Sequence, residues 1–408
     1  MRSGGTKVVT NSYNQGGYKK GRLKGFIRGK QDGFNKGRED ARAAMIASSN
    51  SIPELVLNEV SLKWRELQCA DKFTEVIGHP VVLNDQHMEC LKETVKSAIW
   101  KLEISTPQGT DPLILKIFKA PIEDDSLVEL NMYRKANVIL SGLMPNIHLI
   151  QQDVNGKDVW VFMEFVPQLK GQIIFTPDQF DQIIPTLAKF HARTYNDLFY
   201  SQWDVFSDWL PLYHSELATL ERQKTNEKLL EYLEKAMNRP ELKIRLDTSY
   251  SKLQRILSKG PEYFPELIQA GKSIIHNDLQ TPNIGCSNVG EANWNIKFID
   301  WEGARFAPCW FDMFNLMGVF FAYRKDWRKD EDAVVLRCAH LYAAEMNKYG
   351  IEFQEDPVRL YKMAYLQRVL ERSLPLQLEW AVEGNKQAFL LEGYLDKIDV
   401  WGKELGLH

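Results

Sequence analysis

The run Ile274-Ile275-His276-Asn277-Asp278-Leu279-Gln280-Thr281-Pro282-Asn283, followed by Phe298-Ile299-Asp300-Trp301-Glu302, constrains this chain more than any other feature. Its pattern is H-x-D-x-x-x-x-N with a second aspartate downstream, entered through apolar residues that suit a buried strand. Transfer of a nucleotide phosphoryl group needs one carboxylate near the acceptor hydroxyl, plus an amide oxygen and a second carboxylate on magnesium. Asp278, Asn283 and Asp300 are of the types required. Magnesium takes hard oxygen ligands and keeps waters, so two protein oxygens plus phosphate suffice, with no cysteine or histidine cluster. Ile284 to Cys286 and Asn293 to Asp300 read as two short strands around the turn-forming Asn288-Val289-Gly290-Glu291, a hairpin that returns Asp300 beside Asn283.

A cation is also needed to hold the nucleotide phosphates, itself fixed by a carboxylate. Pro112-Leu113-Ile114-Leu115-Lys116-Ile117-Phe118 is a strand-like apolar run with one lysine inside it. A charge in that setting must be paired. Glu129, in the helical Ser126 to Arg134 segment, is the natural partner of Lys116, and Glu123 is its rival.

With these motifs and the later Phe311-Asp312, residues 80 to 400 resemble the aminoglycoside phosphotransferase and choline kinase family. The resemblance implies an α+β, bilobal, protein-kinase-like fold with a small β-rich N-lobe and a larger α-helical C-lobe. It also implies ATP and Mg2+ as cofactors. Asp278 resembles the family's catalytic base, and Asn283 and Asp300 its magnesium ligands. His276 resembles the packed histidine that shapes the loop, and Asp312 the aspartate that braces it from below. Asp312 reads equally well as a carboxylate at a helix N-terminus. Asp158 to Pro167 resembles the last N-lobe strand entering the hinge, where backbone groups of Glu164 and Val166 would bind the base. Leu187-Ala188-Lys189-Phe190-His191-Ala192 resembles the family's L-A-x-x-H-A helix, with His191 a packing residue.

Two departures qualify the resemblance. No Gly-rich phosphate loop lies between Leu83 and Ser97, which argues against a protein kinase and leaves Thr94 to Ser97 as the nucleotide-covering turn. Asn277 and Gln280 resemble the choline kinase version of the loop, pointing to small cationic alcohols. An acceptor pocket combining rings and carboxylates would then draw on Glu302, Trp310, Trp327, Glu379 and Trp380.

The 408 residues, 44% hydrophobic, allow a sizeable core. No long uncharged apolar stretch and no signal-like N-terminus is visible, and five scattered cysteines form no disulfide or zinc pattern, so a cytoplasmic enzyme is expected. The net charge of −3 hides an asymmetry, since residues 1–40 hold ten Lys or Arg against three Asp or Glu. In that tail aromatics recur every eight residues (Tyr18, Phe26, Phe34) and glycines every four, from Gly21 to Gly37. It reads either as disordered in isolation or as a binder of an anionic surface or partner.

The organisation expected is a basic, Gly-rich, flexible tail over 1–45, an N-lobe with leading helices over 46–163, and a C-lobe over 164–408. Helical periodicity places C-lobe helices at 179–195, 217–237, 247–257, 330–349 and 357–376. The function expected is transfer of the ATP γ-phosphoryl group to a hydroxyl of a small molecule: an aminoglycoside- or choline-like amino alcohol, or a sugar. The alternatives are a kinase-fold scaffold, or a protein kinase, tied to a larger assembly through the basic tail.

Overall fold

The computed structural model describes residues 54–153 and 156–408, and the tail over 1–45 lies outside them. Two compact units are present, one formed by 54–88 with 103–111, the other by 89–102 with 112–408. In the smaller unit, helices α1 (Glu54–Glu66) and α2 (Cys69–Ile77) pack through Trp64 and Phe73, whose rings stack at 5.3 Å. Left-handed Gln68 (φ 52°) turns the chain between them, and Gly78 (φ 85°) ends α2, a position that favours glycine. Strand β1 (Val82–Leu83) then pairs antiparallel with Ser105 and Ile104.

The larger unit carries the α+β, bilobal, kinase-like architecture. Its small lobe is an antiparallel sheet of β2 (Glu89–Glu93), β3 (Ser97–Thr106), β4 (Gly109–Phe118), β5 (Ile147–Gln152) and β6 (Val159–Glu164), in the order β2-β3-β4-β6-β5, with 103–106 of β3 and 109–111 of β4 counted in the smaller unit. In β3 the alternate residues Ala98, Trp100, Leu102 and Ile104 are buried, the period of two that a one-sided sheet demands. Strands β4 and β6 pair from Leu113 opposite Glu164 to Phe118 opposite Val159, which sets Lys116 against Val161. Helix α3 (Asp124–Asn131) follows β4, and a π-helical turn (Met132–Ala136) extends it.

The large lobe is helical around two short ladders. Helix α4 (Phe180–Ala192) follows a capping box in which the Thr176 N–H donates to Gln179 Oε1 at 2.6 Å. Helix α5 (Glu216–Met237) starts at Ser215, whose hydroxyl accepts from Ala218 N–H. After α6 (Tyr250–Leu257), strand β7 (Lys272–Ile275) enters the catalytic-loop sequence and pairs with β10 (Arg305–Pro308). Between them, β8 (Ile284–Cys286) pairs with β9 (Ile296–Phe298). The second strand is shorter than the sequence suggests because Asn288 takes residues 293–295 into the turn, donating to Asn293 O and accepting from Asn295 N–H.

Helix α7 (Glu331–Asn347) matches its expected span closely. The helix expected over 357–376 is instead interrupted. Helix α8 (Pro357–Arg368), capped by Asp356, passes through a π-helical turn (Val369–Ser373) into α9 (Leu374–Val382), and α10 (Leu391–Glu404) follows. Fully buried Trp301, Trp310, Tyr342, Phe190 and Phe298 belong to one continuous core that surrounds the ladders. Burying each such ring contributes on the order of 2 kcal/mol, and here it also fixes the backbone that carries the site.

Behind the segment that follows β6, Gly285 is a required small residue: a Cβ there would meet Val166 Cγ1 at 2.6 Å. Gly285→Ala is expected to cost about 1–3 kcal/mol in urea unfolding. Adding Val166→Ala should restore part of that loss.

Candidate active site

The catalytic loop is held from beneath by one buried carboxylate. Asp312, fully buried in the short helix Trp310–Met313, accepts from His276 N–H at 2.6 Å and Asn277 N–H at 2.7 Å, one on each oxygen. His191 Nε2 and Asn315 Nδ2 complete its shell at 3.2 and 3.3 Å, and His191 Nδ1 is fixed by the Tyr342 hydroxyl at 2.7 Å. Burial works against the charge of Asp312, but the bonds it accepts from His191 and from the His276 backbone outweigh it and hold its pKa below the ordinary value. His276 donates through Nε2 to Ile299 O at 2.8 Å, tying the loop to the chain just before Asp300. Its ring lies 4.9 Å from that of Trp301.

Above this brace, Asn277 takes the left-handed conformation (φ 64°) and turns the chain into Asp278, which is half-buried. Asn283 donates its amide to Asp278 O at 2.8 Å and to Asp278 Oδ2 at 3.3 Å. Gln280 Nε2 reaches the same Oδ2 at 3.3 Å. Asn283 also passes its backbone carbonyl to Ile299 N–H at 3.0 Å, which brings Asp300 alongside. Asp300 is itself left-handed (φ 65°).

Lys116 extends from β4 and is nearly buried. Its Nζ donates to both oxygens of Glu129 at 2.6 Å, and Asp300 Oδ1 lies 3.4 Å away. Tyr133 O–H donates to Glu129 Oε1 at 2.7 Å, so the glutamate is fully engaged. Burial alone would lower the Lys116 pKa, but Glu129 and Asp300 more than compensate and raise it. Burial likewise disfavours charge on Asp300, yet Lys116 and Lys92 hold its pKa down against repulsion from Asp278. Glu123, the rival partner, is an exposed residue at the N-cap of α3.

The donor set suits a hard divalent ion. Asn283 spends its amide nitrogen on Asp278, which leaves its carbonyl oxygen available, and Asp300 presents a partly exposed carboxylate. Beside Asp300, at 3.4 Å, stands the Lys116 ammonium.

A model of the phosphotransferase enzyme family matches residues 101–361. The chain belongs to the phosphotransferase enzyme family. Similar solved structures include ethanolamine kinase from Plasmodium vivax, 15% identical over 78% of this chain and 82% of that one, with a TM-score of 0.45. Choline kinase from Cryptosporidium parvum is 13% identical over 79% and 92%, with a TM-score of 0.47. Aminoglycoside 2'-phosphotransferase-IIIa in complex with GDP is 16% identical over 78% and 93%, with a TM-score of 0.44. No curated protein matches the sequence.

Within this phosphotransferase, other expected site residues are more scattered. Glu164 ends β6, and its carboxylate is taken by Lys297 and by Asn146 N–H. Val166 is buried, and the segment after it is stitched to the β8–β9 hairpin by Cys286 N–H to Pro167 O and Leu169 N–H to Ile284 O. Thr94 to Ser97 forms the tight turn between β2 and β3, where Thr94 Oγ1 accepts from Lys96 N–H and Ser97 N–H.

The five residues assembled for a ring-and-carboxylate pocket share no hydrogen bond, ion pair or ring contact with one another. Trp310 is a core residue, fully buried against Tyr342 and Phe353, because it sits on the inward face of the helix that delivers Asp312. Glu379 is bound by Tyr232 O–H at 2.6 Å and Lys228 at 3.0 Å. Trp327 and Trp380 are half-buried. Glu302, though exposed, lies near the Lys116 group: partial desolvation and the Asp300 and Glu129 carboxylates push its pKa up to about 7. Two residues that sequence reasoning missed, Arg368 at the end of α8 and Arg372 in the π-helical turn, reach the loop at Asn277. Their separation of more than ninety residues from Asn277 left no local signal.

Asp312→Asn removes the charge that serves two backbone amides and His191, and should cost about 1–3 kcal/mol at pH 7 in urea unfolding. Because the folded pKa is depressed, this stabilisation is present above the unfolded value of about 4 and is lost as pH falls through the lower folded value. The gap between wild type and Asp312→Asn should therefore narrow below about pH 4.

Proposed function

We propose that the chain moves the γ-phosphoryl group of ATP to a hydroxyl of a small-molecule acceptor, with Asp278 as the base. The observation that carries this reading is the single connected arrangement Asp278–Asn283 and Asp300–Lys116–Glu129, with the spacing and contacts that phosphoryl transfer needs. A buried lysine bound by both oxygens of a buried glutamate is costly to maintain, and its place beside Asp300 gives it a use.

The reaction divides among these residues as follows. Asp278, kept in register by Asn283 and Gln280, orients the acceptor hydroxyl and takes its proton as the oxygen bonds to the γ-phosphorus. The bond from that phosphorus to the bridging oxygen breaks, and ADP departs. Lys116 holds phosphate oxygens of the nucleotide, and Glu129 keeps its ammonium aimed. Backbone groups of Glu164 and Val166 hold the base. Asn283 and Asp300 would hold magnesium, which when bound neutralises phosphate charge. Asp312 and His276 keep the loop rigid, so that little reorganisation is needed during transfer.

Among the described residues no helix is long and apolar enough to cross a membrane. The domain boundaries at 45 and 163, and an anionic partner for the basic tail, belong to this proposal too.

Asp278→Ala is expected to lower magnesium- and ATP-dependent turnover by about 10²–10⁴-fold while circular dichroism and thermal melting stay near wild type. Turnover is to be followed over a panel of amino alcohols, aminoglycosides, sugars and hydroxy acids. An Asp278→Ala variant retaining most of the wild-type rate would refute the assignment.

A further inference from the structure

Glycine is the residue that takes a left-handed backbone without strain, and at φ 64° it would serve the turn into Asp278 as well as asparagine does. Position 277 instead holds an asparagine whose amide oxygen is put to use. Asn277, 1% exposed, accepts through Oδ1 from Arg368 Nη2 at 2.7 Å, and Arg368 is buried as well. The same residue gives its backbone N–H to Asp312. It is therefore gripped twice, at the main chain from beneath and at the side chain from the flank, immediately before the base. Arg372 Nη1 adds a longer contact of 3.4 Å to its carbonyl oxygen.

Arg368 closes α8, and the chain then widens into the π-helical turn Val369–Ser373. Such turns re-aim the side chains around them and recur at functional sites. Here the turn carries Glu371, whose Oε1 accepts from Arg368 Nη1 at 2.7 Å, with both side chains only 4% exposed. Glu371 Oε2 accepts from Tyr213 O–H at 2.7 Å and from Gln367 Nε2 at 3.2 Å, and its charge also bears on Arg372. Gln367 in turn donates to Pro261 O at 2.8 Å and accepts from Tyr263 N–H at 3.0 Å, so the ion pair is tied to the backbone of a separate loop. The guanidinium also lies 5.0 Å from the centroid of the Phe311 ring, one residue before the brace at Asp312. Arg368 is thus fixed before it meets Asn277, at one edge by a carboxylate and across one face by a ring. Its planar fork loses little further freedom in making the second bond.

We propose that Arg368 is a positioning residue for the base. Through the Asn277 side chain it fixes the main-chain rotation that delivers Asp278, and so the direction in which the carboxylate meets the acceptor hydroxyl. A buried bond from a charged donor is strong enough for this task. Asp312 fixes where the loop sits, and Arg368 fixes how it is turned. The proposal rests on the reading of Asp278 as the base and adds the distant side chain that aims it.

The test is steady-state kinetics of the full chain, with transfer measured to the best acceptor of the panel and, where none is phosphorylated, to water. Arg368→Gln should lower kcat about 10–100-fold and leave the KM for ATP within about twofold of wild type, because Lys116, Asp300 and Asn283 are untouched. Since Arg368→Gln also strands the buried Glu371 and can weaken the fold, Asn277→Gly is the second variant. It keeps the left-handed turn and the Arg368–Glu371 pair, removes the grip, and should lower kcat by a similar factor with a thermal melt near wild type. Arg368→Lys, which keeps the charge without the fork, should recover part of the loss. Combining Arg368→Gln with Asn277→Gly should add little to either alone, as expected of two halves of one contact. Unchanged kcat in Asn277→Gly, additive losses in the double variant, or a KM for ATP that rises as far as kcat falls would overturn the positioning role. Failure of the phosphotransferase reading is distinct, since it would show as turnover that Asp278→Ala does not alter. Turnover lost in Asp278→Ala and kept in Asn277→Gly would remove Arg368 alone from the account, and no turnover to any acceptor would overturn both.

Discussion

The carboxylate of Asp312 is the point on which the site depends. It lies fully buried and takes the backbone amides of His276 and Asn277, one on each oxygen, so the loop cannot rotate without exposing two unpaired donors and a buried charge. From that fixed base the left-handed Asn277 projects Asp278 outward. The His276 bond to Ile299 sets the neighbouring strand end, and Asp300 follows. His191 and Tyr342 hold Asp312 from the other side, so a helix more than a hundred residues away in sequence stabilises the same few atoms. The aromatic core of Phe190, Phe298 and Trp301 supports this polar centre from outside and excludes water from it.

The site also illustrates how one buried ion pair gains its use. Lys116 and Glu129 are both nearly inaccessible, and desolvation would make such a pair a poor source of stability on its own. Asp300 at 3.4 Å extends the pair toward the half-buried Asp278, the place where nucleotide phosphates would bring further negative charge. The arrangement reads as preorganisation for an anionic ligand, with stability drawn from the surrounding apolar packing instead.

Much of this was legible in the sequence because the chemistry is compact in sequence. His276, Asp278, Asn283 and Asp300 sit within one short stretch, and a lone lysine in an apolar strand announces the need for a partner, which proved to be Glu129. Asp312 was half legible: its place near a helix start was visible, and its bonds to the loop were not. Helices were recovered where periodicity was unbroken, as in Glu216–Met237, and misjudged at 357–376, where a π-helical turn keeps the same apolar pattern while rotating the side chains. Of the residues expected in the acceptor pocket, Trp310 was misplaced for a related reason. Rings and carboxylates chosen by type carry no information on facing, and Trp310 turned inward while Arg368 and Arg372, unremarkable in the sequence, turned toward the loop.

The central claim is that Asp278 faces the acceptor while Asn283, Asp300 and Lys116 face the nucleotide. A crystal structure with magnesium and a non-hydrolysable ATP analogue tests it most directly. The account predicts the Asn283 carbonyl oxygen and the Asp300 carboxylate on the metal, Lys116 Nζ on a phosphate oxygen, and Asp278 off the metal. A metal held by Asp278 in place of Asn283, or a nucleotide bound away from Lys116, would contradict it.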